Sequence, residues 1–217
     1  MSETDSFIQE VSEEVRRDQL FRLMKKYGWI PVLLVVVLVG GASYNEIRKA
    51  RAETAAQAFG DGIVTAMSLD DPSERAAALD GVAASGEQSA LLSLIAAGED
   101  AVAENKESAI LRLRTVTTDT TLPEIYRQIA ELKLILLEGD SLSLDERRAR
   151  LQPLAIPGAP FRLLAEEQLA LTDITDGQTD AALERLDAIL VDGEATAGLR
   201  RRVSQLIVAL GGDLDAN

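Results

Sequence analysis

The first division in this chain is a run without charge. From Tyr27 to Tyr44 it reads Tyr27-Gly-Trp29-Ile-Pro31-Val-Leu-Leu34-Val-Val-Val37-Leu-Val-Gly40-Gly41-Ala-Ser-Tyr44, with no charged side chain. As a helix this run would rise about 27 Å, close to the ~30 Å hydrocarbon core of a bilayer. Tyr27 and Trp29 stand at one end and Tyr44 at the other, where amphipathic rings suit headgroup depth. Pro31 falls in the first turn, where its missing N–H costs least. A buried core helix of this length would carry a polar stripe, and none begins before Gly40. The pattern predicts a transmembrane helix over 27–44. A cleaved export signal is the rival reading, since Gly40, Gly41, Ala42 and Ser43 are small enough for a cleavage site. Against it, the run exceeds the usual ~7–15 residues and a long segment precedes it. Arg16-Arg17 is followed by Asp18-Gln19-Leu20 inside a charged, helix-like stretch, which speaks against a twin-arginine signal.

On either side the apolar positions recur with a helical period. Phe7, Val11 and Val15 share a face, Ser6 with Gln9 matches a capping box, and Leu20, Phe21 and Met24 continue after a phase slip. That predicts a helix over 6–26 that lies on the membrane, docks on a membrane partner or is solvated. Beyond Tyr44 an Ala-rich stretch extends the anchor helix to about Met67. Pro72, with Asp71 as its cap, opens the next helix. Further helices are expected near 87–102, 105–116, 123–138, 143–155, 160–175, 178–191 and 195–210, broken mostly by Gly and Pro. No stretch alternates as a strand would.

Two of these stretches repeat. A shift of 35 residues pairs Arg127 with Arg162, Ala130 with Ala165, Glu131 with Glu166, Leu134 with Leu169 and Leu136 with Leu171. It also pairs Leu151 with Leu186 and Leu154 with Ile189. Two helices per ~35 residues is the tetratricopeptide pattern. Leu169-Ala170, Gly177, Ala182 and Leu186 occupy its Leu-Gly, turn, small-residue and packing positions, while Glu166, Asp173 and Glu194 replace its Trp, Tyr and Pro. The expected fold is all-α: an anchor followed by a helical-repeat solenoid. In that register Leu164, Glu167 and Leu171 fall on the groove side, with repeat-to-repeat packing the plainer role for the two leucines.

Composition narrows the function. The chain has no Cys and no His, which removes thiol nucleophiles, imidazole bases and the usual zinc sites. Adjacent acids such as Glu166-Glu167 point to different helix faces. Asp70-Asp71 and Glu99-Asp100 read as helix-end caps. No phosphate loop, calcium loop or catalytic set emerges, so neither an enzyme nor a cofactor is expected. Net charge is −14, and −13 of it lies in residues 45–217. Such a domain repels phosphate backbones, which excludes nucleic acid as the natural partner. Five bases precede the charge-free run and three follow it closely, which places the N-terminus in the cytoplasm.

Asp5-Ser6-Phe7-Ile8-Gln9-Glu10-Val11, Arg16-Arg17-Asp18-Gln19-Leu20, the charge-free run and Leu154-Ala155-Ile156-Pro157-Gly158-Ala159-Pro160-Phe161-Arg162 together resemble the YfgM-like family. Its members are described as ancillary subunits of the SecYEG translocon. The resemblance implies a single-pass bacterial inner-membrane protein whose repeat domain lies in the periplasm, linking the translocon and exported chains to periplasmic chaperones. The layout expected is a cytoplasmic segment 1–26, the span 27–44, the repeat domain 45–211 and a disordered tail 212–217. A structural accessory subunit of another membrane complex, such as a respiratory or envelope assembly, is the alternative.

Overall fold

The computed structural model describes residue 21, residues 24–26 and residues 28–213, without the side chains of Pro31 and Val32. Most of the helix expected over 6–26, together with Tyr27 and residues 214–217 of the expected tail, lies outside the described residues. Within them every regular element is helical. In chain order these are α1 (Trp29–Met67), α2 (Pro72–Asp80), α3 (Glu87–Val102), α4 (Lys106–Thr118), α5 (Glu124–Glu138), α6 (Leu144–Leu151), α7 (Arg162–Thr175), α8 (Thr179–Val191) and α9 (Ala197–Ala209). Single 3₁₀ turns follow α5 and α6.

The chain divides into two compact units, residues 1–58 and 59–217. In the first, α1 carries residues 29–44 of the charge-free run. Trp29, Leu34, Val37 and Tyr44 are all exposed, and Lys49 pairs with Glu53 one turn on. Among the described residues no helix is long and apolar enough to cross a membrane.

The second unit is built from sequential neighbours. Helix α2 packs on α3, α3 on α4, α4 on α5, α7 on α8 and α8 on α9, while α3 also touches α5. That is the contact pattern of stacked helix pairs, in which each unit buries its apolar stripe against the next. The starts follow local chemistry. Asp71 accepts from the Glu74 N–H at 3.0 Å to cap α2, Ser143 and Glu146 form a reciprocal capping box on α6, and Thr196 caps α9. Gly177, at φ 74°, turns α7 into α8, and Gln178 N–H then reaches back to the Asp173 carbonyl at 2.8 Å. The same closure joins α3 to α4, Asn105 N–H to Asp100 carbonyl at 2.8 Å, but there Glu104 holds the left-handed position. A non-glycine residue pays roughly 1 kcal/mol or more for that conformation. Gly62 serves closeness instead: a Cβ there would stand 3.0 Å from Val82.

The repeat positions superimpose chemically. Ala130 and Ala165, Leu134 and Leu169, Leu151 and Leu186, and Leu154 and Ile189 are all buried core residues. A third unit matches with a shift of 38: Leu92 and Ala130, Ala97 and Ile135, Leu113 and Leu151, Val116 and Leu154 are again buried. Ala182, fully buried, sits where α8 packs on α7. Ala182→Leu should overpack this crossing by roughly 1–3 kcal/mol and lower the melting temperature. A melting curve unchanged by circular dichroism would show that the crossing is not tight.

Charge also repeats. Glu99 and Asp100, expected as caps, instead face arginines: Arg75 Nε donates to Glu99 at 2.6 Å and Arg112 Nε to Asp100 at 2.7 Å. In each unit a buried acid near the end of the first helix meets an arginine twelve residues on, in the second helix. The three pairs are Asp100–Arg112, Glu138–Arg150 and Asp173–Arg185. Two of these acids also bind the preceding unit, Glu138 to Arg114 at 2.7 Å and Asp173 to Arg148 at 3.1 Å. The carboxylate thus joins consecutive units as well as the helices of its own.

Candidate functional site

The first helices of successive pairs, α3, α5, α7 and α9, place a row of side chains on one surface. On α7 the stripe formed by Ala165, Leu169, Ala170 and Asp173 is buried, which leaves Leu164, Glu167 and Leu171 at the edge of a different face. The three line one groove of about 710 Å³, together with Leu132 and Leu136 of α5 and Arg202 and Leu206 of α9. Leu136 and Leu171 are repeat equivalents, so the same register position supplies an apolar wall from two successive units. Leu136 is 51% exposed and Leu164 37% exposed. These are large apolar side chains whose burial is left incomplete by the fold itself.

Glu167 differs from its leucine neighbours. Arg202 donates to it through both Nε and Nη2, each at 2.8 Å, and the carboxylate is almost wholly buried. This bidentate pair fixes α9 to α7. Its partner's hydrogen bonds raise the Arg202 guanidinium above its ordinary value, against the desolvation that lowers it. Glu167 therefore lines the groove as a closed ion pair rather than as a free charge. Sequence reasoning placed it on this side without finding Arg202, because the partner lies 35 residues away in a helix beyond the recognised units.

The surface continues past Leu136. Leu136 also borders a hollow of about 290 Å³ with Ala97, Gly98 and Ala101 of α3 and Lys133 of α5. Lys133 and Gly98 in turn border a hollow of about 520 Å³ with Leu91, Ile95, Ile125 and Ile129. Leu91 and Ile125 are 39% and 49% exposed. Sequence reasoning missed this half. The signal was present, since Ile129 and Leu91 stand at the positions of Leu164 one and two units earlier, but the unit containing α3 escaped the constant shift of 35.

Such a surface can hold an apolar segment. It shows no nucleophile beside a base, and among the described residues no cluster of acids could hold a metal ion. Trp29, Leu34, Val37 and Tyr44 are not among its lining residues.

Residues 24–167 match the model of a family described as a tetratricopeptide repeat-like domain. No curated protein and no solved structure matches the chain. The matched stretch begins ahead of the charge-free run and ends within α7, and α8 and α9 continue the same stack beyond it.

Proposed function

The chain belongs to the tetratricopeptide repeat-like domain family, and from that premise we propose that it is a membrane-anchored protein-interaction module that holds apolar segments of partner proteins in the groove of α5, α7 and α9. The observation that carries this reading is the incomplete burial of Leu136 and Leu164 on a groove whose only lining charges, Glu167 and Arg202, neutralise each other. Repeat domains of this kind are interaction modules, and nothing in the arrangement points to an enzyme.

The anchor is supported by the charge-free run over 27–44. Five bases before the run support a cytoplasmic N-terminus and a periplasmic repeat domain in a bacterial inner membrane. The resemblance to the YfgM-like family supports the Sec translocon, exported chains and periplasmic chaperones as the partners.

A photo-crosslinking side chain at Leu136 or Leu171 tests the whole reading in intact cells. Adducts with translocon subunits, exported chains or periplasmic folding factors are expected, and none of these from Val191, an exposed control outside the groove. Equal adducts from both places would remove the groove. Stoichiometric capture of one unrelated membrane complex would replace this reading with an accessory subunit. In the same cells the protein should stay in the membrane pellet after alkaline washing with its N-terminus intact, and a mature start near Ser43 would sink the anchor.

A further inference from the structure

Lys133 stands in the middle of the apolar surface. It is the one charged side chain among the residues lining both hollows between α3 and α5. Glu167 and Arg202 further along are spent on each other. Three other arginines around the core face carboxylates: Arg112 faces Asp100, Arg150 faces Glu131 and Glu138, and Arg185 faces Glu166 and Asp173. Among the described residues no hydrogen bond or ion pair reaches the Lys133 ammonium. An ammonium on a surface of leucine, isoleucine, alanine and glycine, in a domain where acids outnumber bases, has been left without the partner that so many neighbouring cations possess.

We infer that the groove recognises an apolar segment carrying one internal carboxylate, an aspartate or glutamate flanked on both sides by apolar residues, with Lys133 as the residue that reads the acid. The flanks follow from position. Apolar lining extends from Lys133 toward Leu91, Ile95 and Ile125 in one direction, and toward Leu136, Leu164 and Leu171 in the other. A chain terminus would leave one of these arms empty. The single acid follows from net charge: with −13 in residues 45–217, an acidic segment is repelled as a whole. One carboxylate matched to one ammonium in an apolar setting gains the local attraction without that cost. The inference rests on the groove reading given above and specifies its partner.

The test uses the full chain in mild detergent and two labelled synthetic peptides. Both have leucine-rich arms, and the central residue is glutamate in one and glutamine in the other. The glutamate peptide should bind roughly three- to tenfold more tightly, the range of a partly screened ion pair beside apolar surface. Lys133→Gln should bring the ratio of the two affinities to about one, and Lys133→Arg should keep the preference. The preference should weaken with salt. Equal binding of both peptides to the natural protein, or a preference that survives Lys133→Gln, overturns the inference while the groove reading stands. Failure of both peptides to bind removes the groove reading itself. A glutamate peptide that binds only when its acid is the C-terminal residue also overturns the inference, in favour of a terminal carboxylate.

Discussion

Replacing Glu138 with Ala should destabilise the repeat stack by about 2–4 kcal/mol, below the full cost of opening a buried ion pair because one of its two arginines can return to water. Its carboxylate is 7% exposed and is held by Arg114 of α4 and Arg150 of α6. Arg114 is 60% exposed and regains water readily, whereas Arg150 is 27% exposed and keeps only Glu131. Urea unfolding of the full chain followed by circular dichroism measures the loss, and an unchanged midpoint would show that the clasp contributes nothing. The same carboxylate makes the stack acid-sensitive. Burial pushes the Glu138 carboxyl up, but hydrogen bonds from Arg114 and Arg150 outweigh it and hold the group below its ordinary value of 4.5. A carboxyl depressed in the folded state contributes stability that is complete above its unfolded value and is lost as pH falls through the folded one. The natural protein should therefore lose stability below about pH 4.5 more steeply than Glu138→Ala does. Parallel acid titrations of the two would remove the clasp as the cause.

The clasps also show what the residue pattern conveyed and what it withheld. Helix positions were legible because Gly and Pro punctuate a strongly periodic chain: α3 coincides with its expected span, and α5, α7 and α8 begin within two residues of theirs. The 143–155 helix instead ends at Leu151 and tightens into a 3₁₀ turn at Gln152–Leu154, where Pro153 removes the amide an α-helix would use. The shift of 35 was legible in apolar positions: four of its pairs are buried at both members, while Leu136 and Leu171 meet in the groove. The unit of α3 and α4 was not, because the connection from Val116 to Ala130 is three residues longer than that from Leu154 to Ala165, and a fixed shift misses it. The acid-to-arginine spacing of twelve is constant across all three units, but ionic pairs between helices leave no periodicity within one helix, so from sequence Asp100 resembles a cap. The groove side of α7 followed from the repeat register, since side-chain direction in a helix is fixed once one buried position is known. Its extension to Lys133 required seeing α3 beside α5.

Leu186→Ala should cost about 2–5 kcal/mol and unfold one end of the stack before the other. Leu186 is fully buried, in a cluster with Ala170, Ile189, Leu199, Val203 and Ile207 drawn from α7, α8 and α9. A separate cluster centred on Ala97, Ala109, Leu113 and Ala130 holds α3, α4 and α5. Between them Leu132, Ile135, Leu151, Leu154, Ala165 and Leu169 join α5, α6 and α7. A stack assembled from successive local cores behaves as a chain of neighbour interactions, so damage to the last core is felt first by its own helices. Hydrogen exchange should accelerate in α8 and α9 while the amides of α3 and α4 stay protected. Uniform acceleration across all the helices would show that the stack unfolds as one cooperative body. The groove draws Leu206 and Arg202 from α9 but none of its lining from α8. Loosening α8 therefore leaves the apolar wall chemically intact and frees its α9 side to move. An apolar peptide should bind Leu186→Ala more weakly, by the fraction of molecules in which α9 is undocked, and raising the peptide concentration should restore both binding and protection in α9. Peptide binding that is unaffected while α9 exchanges freely would mean that α5 and α7 alone form the working surface, and that the Glu167–Arg202 pair serves only to seal the end of the stack.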